Sequence, residues 1–153
     1  MTPNTDDSVR HDPALEQAVR NALDRYTPLR MWRYSFQIQA SDGKATLTGS
    51  ARSQAEKEVA GNLARAVKGI TTVDNQMVAD GDVELAVAQA LATDERTRDA
   101  FPGILVGVVF GMVYLKGRVV SEAVKQAAGE IAKQIENVQR VSNELILIPK
   151  AAA

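Results

Sequence analysis

The residues that most often do chemistry in proteins are nearly absent from this chain. It contains no cysteine, and His11 is the only histidine among its 153 residues. The absence of cysteine excludes disulfides, thiolate catalysis and every zinc site built on sulfur. The position of the single histidine in a polar terminal tail argues against a Ser-His-Asp triad and a multi-histidine metal site. We therefore expect no catalytic residues, no metal site and no cofactor.

Two other groups of residues resemble ligand sites only in composition. Gly103, Gly107 and Gly111 are spaced by four, but the valines between them favour a strand, whereas a phosphate-binding glycine loop precedes a helix. The acidic segment from Asp94 to Asp99 is interleaved with arginines and lacks the glycine and the terminal glutamate of a calcium loop. We interpret this segment as a solvated connection.

Basic and aromatic residues alternate in the segment RYTPLRMWRY, residues 25–34. Arginine beside tryptophan or tyrosine suits anionic headgroups, phosphates or stacked bases. The candidates for an anionic ligand are Arg25, Arg30, Trp32, Arg33 and Tyr34. We favour the alternative, in which Trp32 and Tyr34 pack over a sheet edge while the arginines are solvated, because the second copy has the mixed segment 94–99 at this place.

The most apolar stretch is AFPGILVGVVFGMVYLKG, from Ala100 to Gly117. Its uninterrupted apolar part, Phe101 to Leu115, has 15 residues, whereas a helix that crosses a bilayer needs roughly 20. Its glycines, proline and valines also disfavour a helix. A membrane-spanning segment is therefore not expected here.

The net charge and composition of the chain bear on the class of partner that it can bind. The formal net charge is −1, with 45% hydrophobic and 24% charged residues, which is typical of a globular protein and provides no general attraction to nucleic acid. The first residues, MTPNTDDSVRHDPALEQ, lack a basic end followed by an apolar core. We expect a cytoplasmic location for the chain as written, and a periplasmic one if it is the mature form of a processed chain.

The chain repeats itself at a constant offset. A shift of 68 residues places Gly49 on Gly117 and Asn75 on Asn143, and it holds the same register throughout without a gap. Self-similarity of this length indicates a tandem duplication. The predicted organisation is a polar tail (residues 1–12), a first domain (13–79), a short linker (80–82), a second domain (83–149) and a tail (150–153).

Each copy shows the same order of predicted elements. A capped amphipathic helix comes first, with Asp12 as the N-cap in one copy and Asp82 in the other. A hairpin follows, turning at Asp42-Gly43 or near Phe110-Gly111. A second helix starts at a serine with a capping-box pattern, and a closing strand completes an αββαβ unit.

These motifs resemble the BON domain family. The resemblance rests on an apolar-x-Gly strand ending (Leu47-Thr48-Gly49 and Leu115-Lys116-Gly117), on the serine-started alanine-rich helix, and on a closing Val-x-Asn strand at Val73 and Val141. It implies an α+β fold of two tandem units, each with two helices on one face of a three-stranded mixed sheet. It also implies a non-enzymatic protein of the bacterial envelope, linked to osmotic or other stress, that binds phospholipid or other envelope components, with potassium as the ligand of one cytoplasmic relative.

The 68-residue offset aligns the apolar stretch with the polar hairpin of the first copy. Polar residues on its outer face, such as Gln37 and Thr46, become Leu105 and Tyr114. Apolar side chains on a face that no helix covers usually have a partner. The predicted interface is Leu105, Val109, Met112, Tyr114, Ile146 and Ile148.

Three occupants of this face are considered. We expect self-association into a homo-oligomer first, docking of the two copies next, and contact with a phospholipid surface or an envelope protein after these. A potassium or small-ligand sensor and a peripheral phospholipid-binding module are the alternative functions.

Overall fold

The computed structural model describes residues 11–149 of the chain. The chain divides into two compact units between Val78 and Ala79. The predicted tails therefore lie outside the described residues, apart from His11 and Asp12.

The first unit follows the predicted order, with additional short helical turns before its sheet. Its elements are α1 (Pro13–Asp24), α2 (Thr27–Met31), a 3-10 turn (Arg33–Ser35), β1 (Phe36–Ser41), β2 (Lys44–Ala51), α3 (Gln54–Arg65), β3 (Thr72–Asn75) and the two-residue β4 (Val78–Ala79).

The second unit repeats the pattern with longer regular strands. Its elements are α4 (Asp80–Thr93), a 3-10 turn (Phe101–Gly103), β5 (Ile104–Val109), β6 (Met112–Val119), α5 (Glu122–Gln134) and β7 (Arg140–Leu147). The predicted linker, residues 80–82, forms the first turn of α4.

Both sheets are mixed. In each unit a hairpin pairs two antiparallel strands, β1 with β2 and β5 with β6, and the closing strand β3 or β7 lies parallel to the second strand of the hairpin. Strand β4 also pairs with β2. The predicted α+β fold of two tandem αββαβ units is confirmed.

The hairpins turn where the sequence predicts. Asp42 and Gly43 have φ of 50° and 78°, and Phe110 and Gly111 have φ of 51° and 78°. Positive φ at both central residues is the geometry of a type I′ turn, whose twist matches that of the flanking strands.

Each unit has its own apolar core between its helices and one face of its sheet. Burial of these side chains is the main force that holds each unit together. The largest fully buried apolar side chains are Val19, Leu23, Leu29, Leu47 and Met77 in the first unit and Val87, Leu91, Val113, Leu115 and Leu145 in the second.

Three of the predicted helix caps are confirmed and one is wrong. Asp12 accepts a hydrogen bond from the Leu15 N–H at the start of α1, and Ser53 and Ser121 cap α3 and α5. Asp82 does not cap α4, because this helix already begins at Asp80 and its N-cap position is Ala79.

The carboxylate of Asp80 is used differently from that of Asp12, the residue 68 positions earlier. It is 4% exposed and accepts hydrogen bonds from the backbone N–H groups of Phe110 (2.8 Å) and Gly111 (3.1 Å). Asp80 therefore ties the start of α4 to the tight turn between β5 and β6.

Candidate functional site: the outer sheet face of the second unit

The hairpin register decides which side chains of β5 and β6 face away from the helices. Val108 pairs with Val113, and both are buried beneath the helices. Because successive side chains of a strand point to opposite faces, the alternate residues of both strands lie on the outer face. These are Leu105, Gly107, Val109, Met112, Tyr114 and Lys116.

Apolar side chains on this face are open to solvent. Leu105 is 68% exposed and Val109 is 37% exposed, while Met112 and Tyr114 are half-buried among their neighbours. The six residues predicted as an interface are thus all at least partly accessible, since Ile146 and Ile148 are 61% and 36% exposed.

The register divides these six residues into two groups. Four of them, Leu105, Val109, Met112 and Tyr114, lie together on β5 and β6, and we call them the β5–β6 patch. Ile146 pairs instead with Arg118, one row beyond the Lys116–Glu144 row.

Charged side chains of β6 and β7 lie beside Leu105 and separate it from Ile146, since Lys116 pairs with both Leu105 and Glu144. The Lys116 Nζ and Glu144 Oε2 atoms are 4.0 Å apart. Because both groups of this pair are exposed, it adds little to stability. On the same face, exposed Arg140 pairs with Met112 and exposed Arg118 pairs with Ile146, so three cations and one anion border the β5–β6 patch.

A shallow groove crosses the patch. It has a volume of about 430 Å³ and is lined by Leu105, Val106, Gly107, Val109, Tyr114 and Lys116. Gly107 forms its floor, and a Cβ atom added there would meet no other atom within 4 Å. The absence of a side chain at position 107 is what leaves the groove open beside the Tyr114 ring.

The matching face of the first unit is polar. Gln37 and Gln39 of β1 are exposed, and they pair with Thr48 and Thr46 of β2. The Lys44 and Asp74 side chains approach within 4.0 Å on the same sheet. The two sheets therefore share a backbone and differ in the chemistry of the face that the helices leave uncovered.

The arginine and aromatic segment forms α2 and the 3-10 turn that follows it. Tyr34 is 93% exposed, so the packing of this ring over the sheet edge that was considered from the sequence is wrong. Trp32 is 40% exposed, and the Arg52 guanidinium lies 5.7 Å from its ring centroid.

The five residues of this segment do not converge on one pocket. Arg33 pairs with Asp24 at 3.5 Å and lies 5.8 Å from the Tyr34 ring centroid. Arg25 instead lines a groove between α1 and α3, and Arg30 is exposed in the last turn of α2.

The acidic segment after α4, residues 94–99, contains an arginine that forms two ion pairs. Arg96 pairs with Asp94 at 3.1 Å and with Glu130 of α5 at 3.2 Å. Hydrogen bonding to Arg96 lowers the pKa of Asp94, and the same interaction raises the pKa of Arg96. This arrangement links the connection to α5.

The arrangement of residues 11–149 also bears on metal binding and membrane insertion. Within this range, no group of three or more histidine and acidic side chains is placed to hold a metal ion. No helix in the same range has the length and apolar character needed to cross a bilayer.

Comparison with protein-family models places two BON domains on the chain, at residues 11–81 and 79–149. The chain belongs to the BON domain family. The predicted resemblance is confirmed, and both matches coincide with the repeated αββαβ units.

One relative and one solved structure are similar to this chain. The chain is 28% identical over 145 residues to the osmotically-inducible protein Y of Escherichia coli K12, covering 88% of this chain and 71% of that protein. It also superimposes, with a TM-score of 0.69 and 18% identity, on the C-terminal domain of CdsD, a structural protein of the type III secretion system of Chlamydia trachomatis. This second match covers 90% of this chain and 67% of the other, and at such identity it shows a shared fold.

The sequence placed Gly107 on the correct strand but Asp80 in a linker rather than in α4, and neither residue was assigned a role. The signal for Gly107 was present, since the 68-residue offset places it on Gln39. For Asp80 no pattern in the sequence indicates that a carboxylate would bind a turn 30 residues later.

Proposed function

We propose that this chain is a non-enzymatic binding or scaffolding protein of the BON type that self-associates through the β5–β6 patch. The E. coli relative is named for osmotic induction, and we extend a stress-related role to this chain as part of the proposal. The observation that carries it is the 68% exposure of Leu105 on a face where the first unit has polar residues.

The energetic argument rests on what these side chains gain by leaving water. Burial of one large apolar side chain is worth about 1.5–3 kcal/mol. The four side chains of the β5–β6 patch therefore represent several kcal/mol of gross association energy, from which the cost of immobilising two molecules must be subtracted.

Shape rather than charge favours a second copy over a lipid surface as the occupant. Three cations and one anion border the patch, whereas the groove beside Leu105 can receive an apolar side chain of a second copy. The corresponding face of the first unit is polar, and it offers poor complementarity to Leu105 and Tyr114.

The experiment is a mass measurement by size-exclusion chromatography with light scattering. The test variant carries Leu105→Gln and Tyr114→Thr, which introduce residue types found at the equivalent positions of the first unit. We expect a concentration-dependent oligomer for the wild type and a monomer for this variant. The control Gln37→Lys changes the polar face and should leave the mass unchanged; a wild type that stays monomeric at high concentration refutes the proposal.

A second candidate function, peripheral binding to anionic phospholipid, is favoured by the exposed rings near α2. Tyr34 and Trp32 are 93% and 40% exposed beside Arg30, a combination suited to a headgroup layer. Co-sedimentation with phosphatidylglycerol vesicles at low and high salt tests it, using Arg30→Glu with Tyr34→Ser. The control is Arg98→Glu at the position equivalent to Arg30; binding that both variants retain contradicts this candidate.

The potassium or small-ligand alternative has a simpler test. Potassium that binds the folded chain raises the melting temperature in potassium chloride above that in sodium chloride at equal ionic strength. Equal melting temperatures in the two salts contradict potassium sensing.

A further inference from the structure

Strand β5 carries a projecting side chain, Leu105, and a recess at Gly107 on the same face of the β5–β6 patch. Leu105 is 68% exposed, and Gly107, two residues further along β5, forms the open floor of the groove. Two residues in a strand span about 6.6 Å. The projection and the recess are therefore adjacent on the same surface.

This spacing makes the surface complementary to a copy of itself. In a two-fold symmetric interface, residue i contacts residue j of the partner while j contacts i. An axis that runs across the strands at the level of Val106 exchanges the Leu105 row with the Gly107 row. Leu105 of each copy then lies over Gly107 of the other.

The neighbouring strand is compatible with the same axis. Lys116 pairs with Leu105 across the hairpin, and Tyr114 pairs with Gly107. The exchange of rows therefore places the Lys116 ammonium of one copy over the Tyr114 ring of the other. A cation over an aromatic face is attractive, so this second contact adds to the first.

We infer that the chain forms a two-fold symmetric dimer in which Leu105 of each copy occupies the groove over Gly107 of its partner. This inference rests on the proposed self-association and specifies how it occurs. Gly107 is then the residue that sets specificity, because any side chain at this position fills the recess that Leu105 needs.

The first unit shows why only the second sheet associates in this way. The equivalents of Leu105 and Gly107 are Gln37 and Gln39, and both are exposed polar side chains. A glutamine at the position of the recess closes it. The same backbone therefore lacks both the projection and the recess.

The first test is Gly107→Leu, measured by light scattering as above. An added Cβ at position 107 meets nothing within 4 Å, and φ there is not in the left-handed region, so the folded unit should tolerate the change. We expect the dimer dissociation constant to rise at least 100-fold while the circular dichroism spectrum stays that of the wild type. Gln39→Leu is the matched control and should leave the dissociation constant within about twofold of the wild-type value.

The second test is cross-linking with a short bis-maleimide, which spans the gap between two packed sheets and for which the absence of native cysteine is convenient. Chains with Leu105→Cys are mixed with chains carrying Gly107→Cys and treated with the reagent, and the products are separated by size under denaturing conditions. We expect the mixed pair to cross-link at least 10-fold faster than either variant alone. A mixture of Gln37→Cys and Gln39→Cys chains should give only the background rate.

The outcomes separate this inference from the proposed function. A monomeric wild type contradicts both. The Leu105–Gly107 contact is overturned if the dimer survives Gly107→Leu and no cross-link is preferred. Self-association through the patch is still supported in that case if Leu105→Gln with Tyr114→Thr disperses the dimer. Loss of the dimer on Gly107→Leu together with the mixed cross-link supports the inference.

Discussion

The side-chain amide of Asn143 donates a hydrogen bond to the backbone carbonyl of Lys125 across 2.7 Å, which ties the closing strand β7 to helix α5. Asn143 also accepts from the Leu145 N–H at 3.3 Å. The first unit repeats both bonds, since Asn75 donates to the Lys57 carbonyl at 2.7 Å and accepts from the Met77 N–H. This bridge explains physically why the Val-x-Asn motif occurs in both copies.

Removal of this bridge should destabilise the unit that contains it. Asn143→Ala removes both hydrogen bonds of the side-chain amide, and a typical hydrogen bond contributes about 0.5–1.5 kcal/mol. We expect the urea unfolding midpoint measured by circular dichroism to fall. The fluorescence of Trp32, the single tryptophan, reports the first unit and should change less; equal stability of variant and wild type contradicts the prediction.

Gly129 should be sensitive to the smallest possible substitution. In an exposed helix interior, Gly→Ala normally stabilises by about 1 kcal/mol. A Cβ at position 129 would instead lie 2.9 Å from the Asn143 Nδ2, so we expect Gly129→Ala to destabilise by about 1 kcal/mol or more, measured by urea unfolding.

A double variant and a control identify the cause of that effect. If the clash with the amide is responsible, Gly129→Ala combined with Asn143→Ala is less destabilising than the sum of the two single changes. Gly81→Ala in the first turn of α4, where an added Cβ meets nothing within 4 Å, should not lower the unfolding midpoint. Additive effects of the two single changes argue against the clash.

Gly117 allows a close crossing of two backbone segments. Its φ is 126°, and a Cβ there would collide with the Gly103 carbonyl oxygen. Strain of this kind costs of order 1–3 kcal/mol before the steric overlap is added. We expect Gly117→Ala to lower the thermal midpoint of the second unit strongly, and Gly107→Ala on the open outer face to leave it nearly unchanged. Similar midpoints for the two variants contradict this account.

We expect Asp80 to contribute to the stability of the second unit, although it lies at a domain boundary. Asp80→Asn leaves one amide oxygen to accept from the Phe110 and Gly111 N–H groups and removes the charge that strengthens both bonds. Hydrogen bonds to a charged group contribute about 1.5–3 kcal/mol, so we expect a loss of this order in the unfolding free energy. Asp12→Asn is the control, because Asn caps a helix as well as Asp does; equal losses in the two variants contradict a special role for Asp80.

The sequence predicted most of the fold because each copy repeats strong local signals. The Asp42-Gly43 turn, the serine caps at Ser53 and Ser121, and the apolar alternation of the hairpins all act within a few residues of one another. The short helix α2 was missed because its role is tertiary. It places Leu29 in the core at 2% exposure, and at the equivalent position Thr97 is 1% exposed and donates to the Leu91 carbonyl.

The candidate site was only partly predictable, because its shape depends on pairing between strands. Alternation placed Leu105 and Tyr114 on the outer face. It did not show that Lys116 and Arg118 of the central strand lie between Leu105 and Ile146, since the register of the parallel pair β6–β7 is not encoded by a turn. The recess at Gly107 likewise exists only when Tyr114 lies opposite it.

The Asp94–Arg96 pair predicts a specific response to acid. Because hydrogen bonding to Arg96 lowers the folded-state pKa of Asp94, the pair contributes to stability above the unfolded value of about 3.9. That contribution is lost as the pH falls through the lower folded-state pKa. Since Arg96 is exposed and Asp94 is only partly buried, we expect the effect on global unfolding to be small. The informative measurement is the carboxyl titration of Asp94 followed by NMR.

Arg96→Gln distinguishes the cause of this shift. Without the guanidinium the titration midpoint of Asp94 should rise to its ordinary range, because the charge-assisted hydrogen bond that favours the ionised form is gone. Glu130→Gln, which removes only the second partner of Arg96, should leave the Asp94 midpoint below that range. An Asp94 midpoint that is ordinary in the wild type, or that does not respond to Arg96→Gln, contradicts the assignment of the shift to this pair.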